Sequence, residues 1–153
     1  MAGDVALRVG YDVGAPLCGR HDRWSDRIDI NLPDVHTEVA AAFARYETAL
    51  VTNDVAALQE LFWHSEHTIR YGIAENLYGS SEISSFRAAR LPVGLARRIS
   101  RTVITTFGRD FATASTLFER ETVPGKIGRQ MQTWARMPEG WRVVAAHVSL
   151  IDA

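Results

Sequence analysis

The chain of 153 residues contains one cysteine, one lysine and no long apolar segment. Cys18 has no partner for an internal disulfide, which predicts a reducing, cytoplasmic location. No apolar run approaches the ~20 residues that a membrane span requires. The first ten residues lack the basic start and the apolar stretch of a secretory signal. We therefore expect a cytoplasmic protein with no membrane partner.

Motifs of several common chemistries are also missing from the sequence. It has no Gly-rich phosphate loop, no dinucleotide-binding fingerprint and no Gly-x-Ser-x-Gly nucleophile elbow. His64 and His67 are of a metal-binding type, but they occupy a predicted helix-to-strand connection without the one-face spacing of a zinc helix. We therefore expect neither a metal nor a cofactor.

Charge is nearly balanced, with a net charge of −1. Such a chain has no overall field that would draw it to nucleic acid. Five arginines occur between residues 87 and 101 without an intervening acid: Arg87, Arg90, Arg97, Arg98 and Arg101. We interpret this stretch as solvated charge near the end of a helix, from which Arg87 or Arg90 could turn inward to hold an anion.

Two regions differ in composition. Residues 1–29 are interrupted by glycine and proline and show no helical or strand period, so we assign them to an N-terminal extension. Residues 30–153 form the predicted domain. Deleting the extension is expected to leave thermal unfolding nearly unchanged.

The domain is predicted to have an α+β fold. Apolar spacing of three and four residues predicts helices at 33–51, 54–63 and 80–90, with Asn31 capping the first and Asn53-Asp54 capping the second. A short strand is predicted at 67–73. After Pro92 the period becomes two, which predicts a meander of strands at 99–107, 111–121, 127–136 and 141–151. Helices that cover the concave face of such a sheet would leave a conical pocket beside the first helix.

Tyr46 and Arg70 are the first candidates for chemistry. Tyr46 belongs to the apolar stripe of the first helix, and a core tyrosine with one hydrogen bond is the alternative reading. Arg70 belongs to the short strand, where it points either into the core or to water. An inward arginine could hold a carboxylate in a planar fork, and an inward tyrosine could supply a proton.

Candidates on the later strands are weaker. His147 on the last strand reads equally well as a pocket acid or base and as a core histidine bonded to backbone. Gln130, Gln132 and Trp134 alternate on the preceding strand and could line the same cavity. If the His147 face lines the pocket, the opposite face (Val144, Ala146, Val148 and Leu150) is too apolar for water, which predicts a homodimer.

Several segments of the domain carry a resemblance to a known family: Ile30–Val35, Phe43–Glu47, Asn53–Val55, Leu61–Trp63, Arg70–Gly72, Glu75–Gly79, Phe86–Arg90, Thr105–Asp110, Ile127–Gln130, Gln132–Trp134 and Gly140–Ser149. Together they resemble the AtzH-like (HpxZ-like) proteins of the NTF2-like, or SnoaL-like, superfamily. The resemblance covers nearly all of residues 30–151. The chain departs from the family pattern at the N-terminal extension, at Ile73-Ala74 and at Val123–Gly125.

This resemblance implies an α+β cone fold that is usually dimeric. In the cyanuric acid branch it implies cofactor-free decarboxylation of 1,3-dicarboxyurea to allophanate, alongside an amidase; another branch serves oxalurate catabolism. It places the catalytic pair at Tyr46 and Arg70. In the mechanism we expect, Arg70 binds one carboxylate and Tyr46 donates or relays the proton. Arg90, Gln132 and His147 are our candidates for the second carboxylate. The alternative is a non-catalytic binding or accessory protein of an amidase.

Overall fold

The computed structural model describes residues 28–153. Three helices precede most of the sheet: α1 (Pro33–Val51), α2 (Val55–Leu61) and α3 (Gly79–Ala89). The six strands are β1 (Ile69–Tyr71), β2 (Asn76–Tyr78), β3 (Arg98–Phe107), β4 (Phe111–Glu119), β5 (Lys126–Met137) and β6 (Gly140–Asp152). The proposed extension lies almost wholly outside the described residues.

The strands form one mixed, curled sheet that does not close on itself, in the order β2-β1-β6-β5-β4-β3. Neighbouring strands are antiparallel except β1 and β6, which are parallel. The helices cover the inner face of the sheet, where the core contains Val39, Phe43, Leu58 and Trp134. The predicted α+β cone is confirmed. None of the helices in the described region is long and apolar enough to span a membrane.

The start of α1 differs from the prediction. Asn31 does not cap the helix: it adopts a positive φ of 56°, and its side-chain oxygen accepts a hydrogen bond from the backbone N–H of Thr106 at 2.9 Å. The residue at the cap position is Leu32, with proline next to it inside the helix. Asp54 does cap α2, since its Oδ1 accepts from the N–H of Ala57 at 2.9 Å. Asn31 therefore ties the entry of α1 to the edge strand β3.

The predicted strand at 67–73 is shorter than expected and is followed by a strand that the sequence did not reveal. β1 turns back as β2, with Ile69 opposite Tyr78, because the turn between them is closed by a hydrogen bond from Gly72 N–H to the Glu75 carbonyl at 2.8 Å. Three-residue strands give too little alternation for a period to be recognised. The two strands and the turn nevertheless carry Arg70 and Glu75.

A β-bulge in β6 decides which residues face inward. Thr133 pairs with Ala145 and Trp134 pairs with Val143, so Val144 is an extra residue on β6. Strict alternation is broken there, and Val143 shares the inner face with Ala146 and Val148, all of which are buried. The prediction that the Ala146 and Val148 face is opposite the pocket is therefore wrong. The homodimer that rested on it stays a prediction from the resemblance alone.

Candidate active site

A cavity of about 220 Å³ lies between α1, the end of α3 and the inner face of the sheet. This volume is below the range typical of drug-sized ligands and suits a small metabolite. Apolar side chains such as Leu50, Phe86 and Val148 form part of its wall. Its polar lining consists of Tyr46, Arg70, Glu75, Arg90, Arg97, Arg120 and Gln130. Residues from a helix, a turn, two strands and three element ends thus meet in one small space.

Tyr46 reaches the cavity from the buried stripe of α1. Its side chain is 4% exposed, and its ring packs against Phe62 with the ring centroids 6.3 Å apart. Among the described residues, its hydroxyl has no hydrogen-bond partner at hydrogen-bonding distance. The ring of Tyr46 thus packs in an apolar wall, and its hydroxyl proton is available for a hydrogen bond to a ligand.

Arg70 points inward because β1 pairs in parallel with β6. In this register Arg70 lies opposite the inward-facing Ala146, and Tyr71 lies opposite His147. The guanidinium of Arg70 lies over the Phe86 ring at 5.3 Å, and its Nη1 donates to Glu75 Oε1 at 2.5 Å. The Arg70 and Glu75 side chains are 14% and 21% exposed, so a small solute could reach the pair.

Glu75 folds back over the strand at a place that only glycine leaves open. A Cβ at position 72 would lie 1.8 Å from Glu75 Oε1, so any larger residue there would displace the carboxylate. The second oxygen, Oε2, accepts from the N–H of Ala74 at 3.2 Å. The Glu75 carboxylate is therefore already paired with the Arg70 guanidinium.

A closed ion-pair network forms another wall. Arg97 donates to both carboxylate oxygens of Glu47, with distances of 2.5 and 3.0 Å. Gln130 accepts from Arg97 at 3.0 Å and donates to Glu47 at 3.2 Å. The Arg97 side chain is 1% exposed and lies over the Phe118 ring. Since every charge in this network has a bonded partner, Arg97 is held rigidly in place.

Arg90 and Arg120 line the cavity without a carboxylate partner among the described residues. Arg90 Nη2 donates to the neutral Asn53 side chain at 2.9 Å, and Arg120 lies over the Phe118 ring at 5.1 Å. Burial lowers the pKa of Arg90, and the positive charge of Arg70 adds to this effect. Burial also lowers the pKa of Arg120, with Arg97 and Arg90 contributing in the same direction. The cavity therefore has excess positive charge.

Arg87 is buried immediately behind this cavity. It stacks over Phe62 at 4.0 Å and donates to the Leu58 carbonyl at 2.9 Å. Burial lowers the pKa of Arg87 to about 10; Tyr46 opposes this shift, and the nearby Arg70 and Arg90 charges add to it. The interpretation of the arginine stretch as solvated charge is wrong for Arg97, while Arg98 is exposed as expected. Arg87 turns inward, as the sequence allowed for Arg87 or Arg90, but it binds the Leu58 carbonyl.

Of the five predicted site residues, the structure brings three together in the cavity: Tyr46, Arg70 and Arg90. Gln132 lies deeper in the core, where its Oε1 accepts from Trp134 Nε1 at 3.2 Å and its buried Nε2 has no partner among the described residues. His147 is exposed on the outer face of the sheet, with its ring 6.1 Å from that of Tyr71. His147 is therefore not a ligand-binding residue of this cavity, because the bulge at Val144 reverses its expected direction.

Three lining residues were not singled out by sequence reasoning: Glu75, Arg97 and Arg120. Arg97 had been assigned to the solvated stretch, and Arg120 follows the last residue of β4, where a charged side chain is unremarkable. The absence of any carboxylate between Arg87 and Arg101 is the one signal in the sequence that arginines of this stretch could face an anionic ligand. Within the described residues, no group of three or more metal-ligand side chains occurs.

Comparison with known proteins assigns the chain to a family. The model of the AtzH-like family matches residues 28–153, which is well over half of the chain. The chain belongs to the AtzH-like family. None of the curated proteins compared with the chain matches it.

Solved structures of other proteins share the fold. A protein of unknown function from Pectobacterium atrosepticum, of the DUF3225 family, is 62% identical, with a TM-score of 0.79 over 81% of this chain and 96% of its own. A cystatin-like fold protein from Burkholderia xenovorans is 52% identical, with a TM-score of 0.79 over 82% of this chain and 98% of its own. An NTF2-like protein of unknown function from Pseudomonas putida is 14% identical, with a TM-score of 0.63 over 76% and 86%. The last likeness concerns the NTF2-like fold alone.

Proposed function

We propose that this AtzH-like protein is a cofactor-independent decarboxylase of an N-carboxylated urea such as 1,3-dicarboxyurea. The observation that carries the proposal is that Tyr46 and Arg70 line the same cavity of about 220 Å³. It brings a buried phenol close to a guanidinium that can bind a carboxylate. The substrate class is taken from what the resemblance to the cyanuric acid branch of the AtzH-like proteins implies. The reaction would serve nitrogen catabolism in the cytoplasm, upstream of an amidase that consumes the product.

The reaction requires orientation and one proton. The bond between the carboxylate carbon and the urea nitrogen breaks, the electron pair stays on nitrogen, and carbon dioxide leaves. A dicarboxyurea dianion thus takes up one proton and becomes the allophanate monoanion. Bond cleavage is easier when the carboxylate is turned out of the plane of the urea, because the nitrogen lone pair then no longer delocalises into the carboxylate and the carbon–nitrogen bond is weakened.

Arg70 is assigned to the carboxylate that is lost. Its planar guanidinium fixes the plane of that carboxylate, and it lies in the wall rather than at the surface. Tyr46 is assigned to the nitrogen as general acid. Its hydroxyl proton completes the new N–H bond, and the resulting phenolate is reprotonated from water. The nearby guanidinium groups stabilise negative charge on the tyrosine oxygen during this step.

The test is the release of carbon dioxide from 1,3-dicarboxyurea above the spontaneous background. Tyr46→Phe is expected to lower kcat by about 10²–10⁴-fold with little change in KM, because it removes the proton and keeps the shape. Arg70→Lys is expected to damage kcat and KM together, since the charge remains but the planar fork is lost. Tyr78→Phe and Arg98→Lys, both at exposed positions, are the matched controls.

Two results would count against the proposal in different ways. A wild-type rate equal to the background would replace the decarboxylase with the accessory role, in which the cavity carries a carboxylated urea for an amidase. Full activity of Tyr46→Phe would leave a decarboxylase but remove Tyr46 as the proton donor.

A further inference from the structure

The charges around the cavity are not balanced by the protein. Four guanidinium groups line it, on Arg70, Arg90, Arg97 and Arg120. Glu75 pairs with Arg70, and Glu47 pairs with Arg97. Arg90 and Arg120 keep their charge near neutral pH and have no carboxylate among the described residues. Two positive charges are therefore left for a ligand.

Unused hydrogen-bond donors accompany these two charges. The Nε atoms of Arg90 and Arg120 are both buried, and neither has a hydrogen-bond partner in the described part of the chain. A buried donor without an acceptor destabilises the folded protein, and more so when it is charged. Native proteins rarely retain two such donors in one place unless something else satisfies them. A carboxylate ligand has the acceptor oxygens that these two donors lack.

The framework around these two residues is rigid. Arg90 is held at the end of α3 by Asn53, and Arg120 lies on the Phe118 ring beside the Arg97–Glu47 network. Phe118 itself is 1% exposed. These supports keep two like charges in one cavity although they repel each other. Such an arrangement is costly in the free protein and favourable only with an anion between them.

We propose that Arg90 and Arg120 form a second carboxylate site, which makes the cavity selective for small dicarboxylates over monocarboxylates. This inference rests on the proposed function for the role of the first site: Arg70 holds the carboxylate that leaves, and Arg90 and Arg120 hold the one that stays. Arg90 and Arg120 are then specificity-determining residues. A monoanionic ureido acid would leave one buried guanidinium unmatched and bind weakly.

Binding of an unreactive ligand tests this independently of catalysis. Glutarate has the same five-atom chain between and including its carboxyl carbons as 1,3-dicarboxyurea, and butyrate lacks one carboxylate. Titration calorimetry of the full chain is expected to show glutarate binding about 10–100-fold more tightly than butyrate at low salt, as one more charge-assisted carboxylate site predicts. Equal affinities for the two acids would overturn the proposal.

Substitutions locate the preference. Arg120→Gln and Arg90→Gln are each expected to reduce the glutarate-to-butyrate ratio towards one. Glutarate loses one of its two carboxylate sites, whereas the single carboxylate of butyrate can still use Arg70 by displacing Glu75. Arg98→Gln, an exposed arginine next to the network, is the control and should keep the wild-type ratio. A merely structural role would weaken both acids alike, and that result would overturn the proposal.

The two proposals fail separately. Loss of the preference in Arg120→Gln, with no carbon dioxide release by the wild type, would keep the dicarboxylate site and remove the decarboxylase. Wild-type turnover with an unchanged preference in both variants would keep the decarboxylase and remove the second site. If Arg90→Gln fails to fold because its contact with Asn53 is lost, Arg120→Gln alone decides.

Discussion

Glu75 Oε1 accepts a hydrogen bond from Arg70 Nη1 at 2.5 Å inside the cavity that Tyr46 also lines. The protein thus places one of its own carboxylates on the guanidinium assigned to the substrate. This contact positions Arg70 and also competes with any ligand carboxylate. The turn at Gly72 makes it possible, because a Cβ there would overlap with Glu75.

Glu75→Gln is expected to strengthen carboxylate binding. The substitution removes one negative charge from the cavity while keeping the length of the side chain, so the glutarate affinity should rise by about tenfold, or ~1.4 kcal/mol. Titration calorimetry measures this directly. Glu66→Gln, at a highly exposed side chain outside the cavity, is the control. Weaker binding by Glu75→Gln would mean that Glu75 mainly holds Arg70 in place.

Gly128→Ala is expected to destabilise the wall that carries two of the arginines. A Cβ at position 128 would lie 2.1 Å from Phe118 Cζ, and the Phe118 ring supports Arg97 and Arg120. Overpacking of this kind costs about 1–3 kcal/mol in the free energy of unfolding, measurable by urea denaturation. Adding Phe118→Leu should recover part of the loss. No recovery in the double variant would show that the overlap is not the cause.

Stability is expected to fall in acid through Glu38. A hydrogen bond from Trp141 Nε1, and then one from Arg136, lower the pKa of this carboxyl from its ordinary value of 4.5. Because the folded pKa is depressed, the stabilisation is present above pH 4.5 and is lost as the pH falls through the folded value. Glu38→Gln should therefore lower stability at pH 7 more than at pH 3.

Urea denaturation of both proteins at the two pH values checks this expectation. Glu139→Gln, at an exposed turn, serves as the control. Equal losses at pH 7 and pH 3 would show that Glu38 does not contribute through its ionised form.

A homodimer is the expected assembly from the family resemblance. Sedimentation at micromolar concentration should give a mass near twice the 17.0 kDa of one chain. The apolar β6 face no longer supports this expectation, since Ala146 and Val148 are buried within the chain. A monomer in that experiment would contradict the prediction.

The sequence by itself determined the elements whose signals are local. The spacing of apolar residues predicted α1 at 33–51, and the structure has it as Pro33–Val51. Asp54 caps α2 as predicted, because capping involves only neighbouring backbone N–H groups. The same spacing placed Tyr46 on the buried stripe of α1. Period-two alternation predicted the four long strands for the same reason, because it depends only on residues that follow one another along the chain.

Only the tertiary structure decided which way the site residues point and which charges meet. Arg70 faces the cavity because β1 pairs in parallel with β6, and His147 faces outward because Val144 is an extra residue in that strand. Glu47 on α1 and Arg97 before β3 are 50 residues apart, and Arg120 follows β4. No local pattern encodes a register, a bulge or a long-range ion pair, because each depends on how distant segments pack against one another.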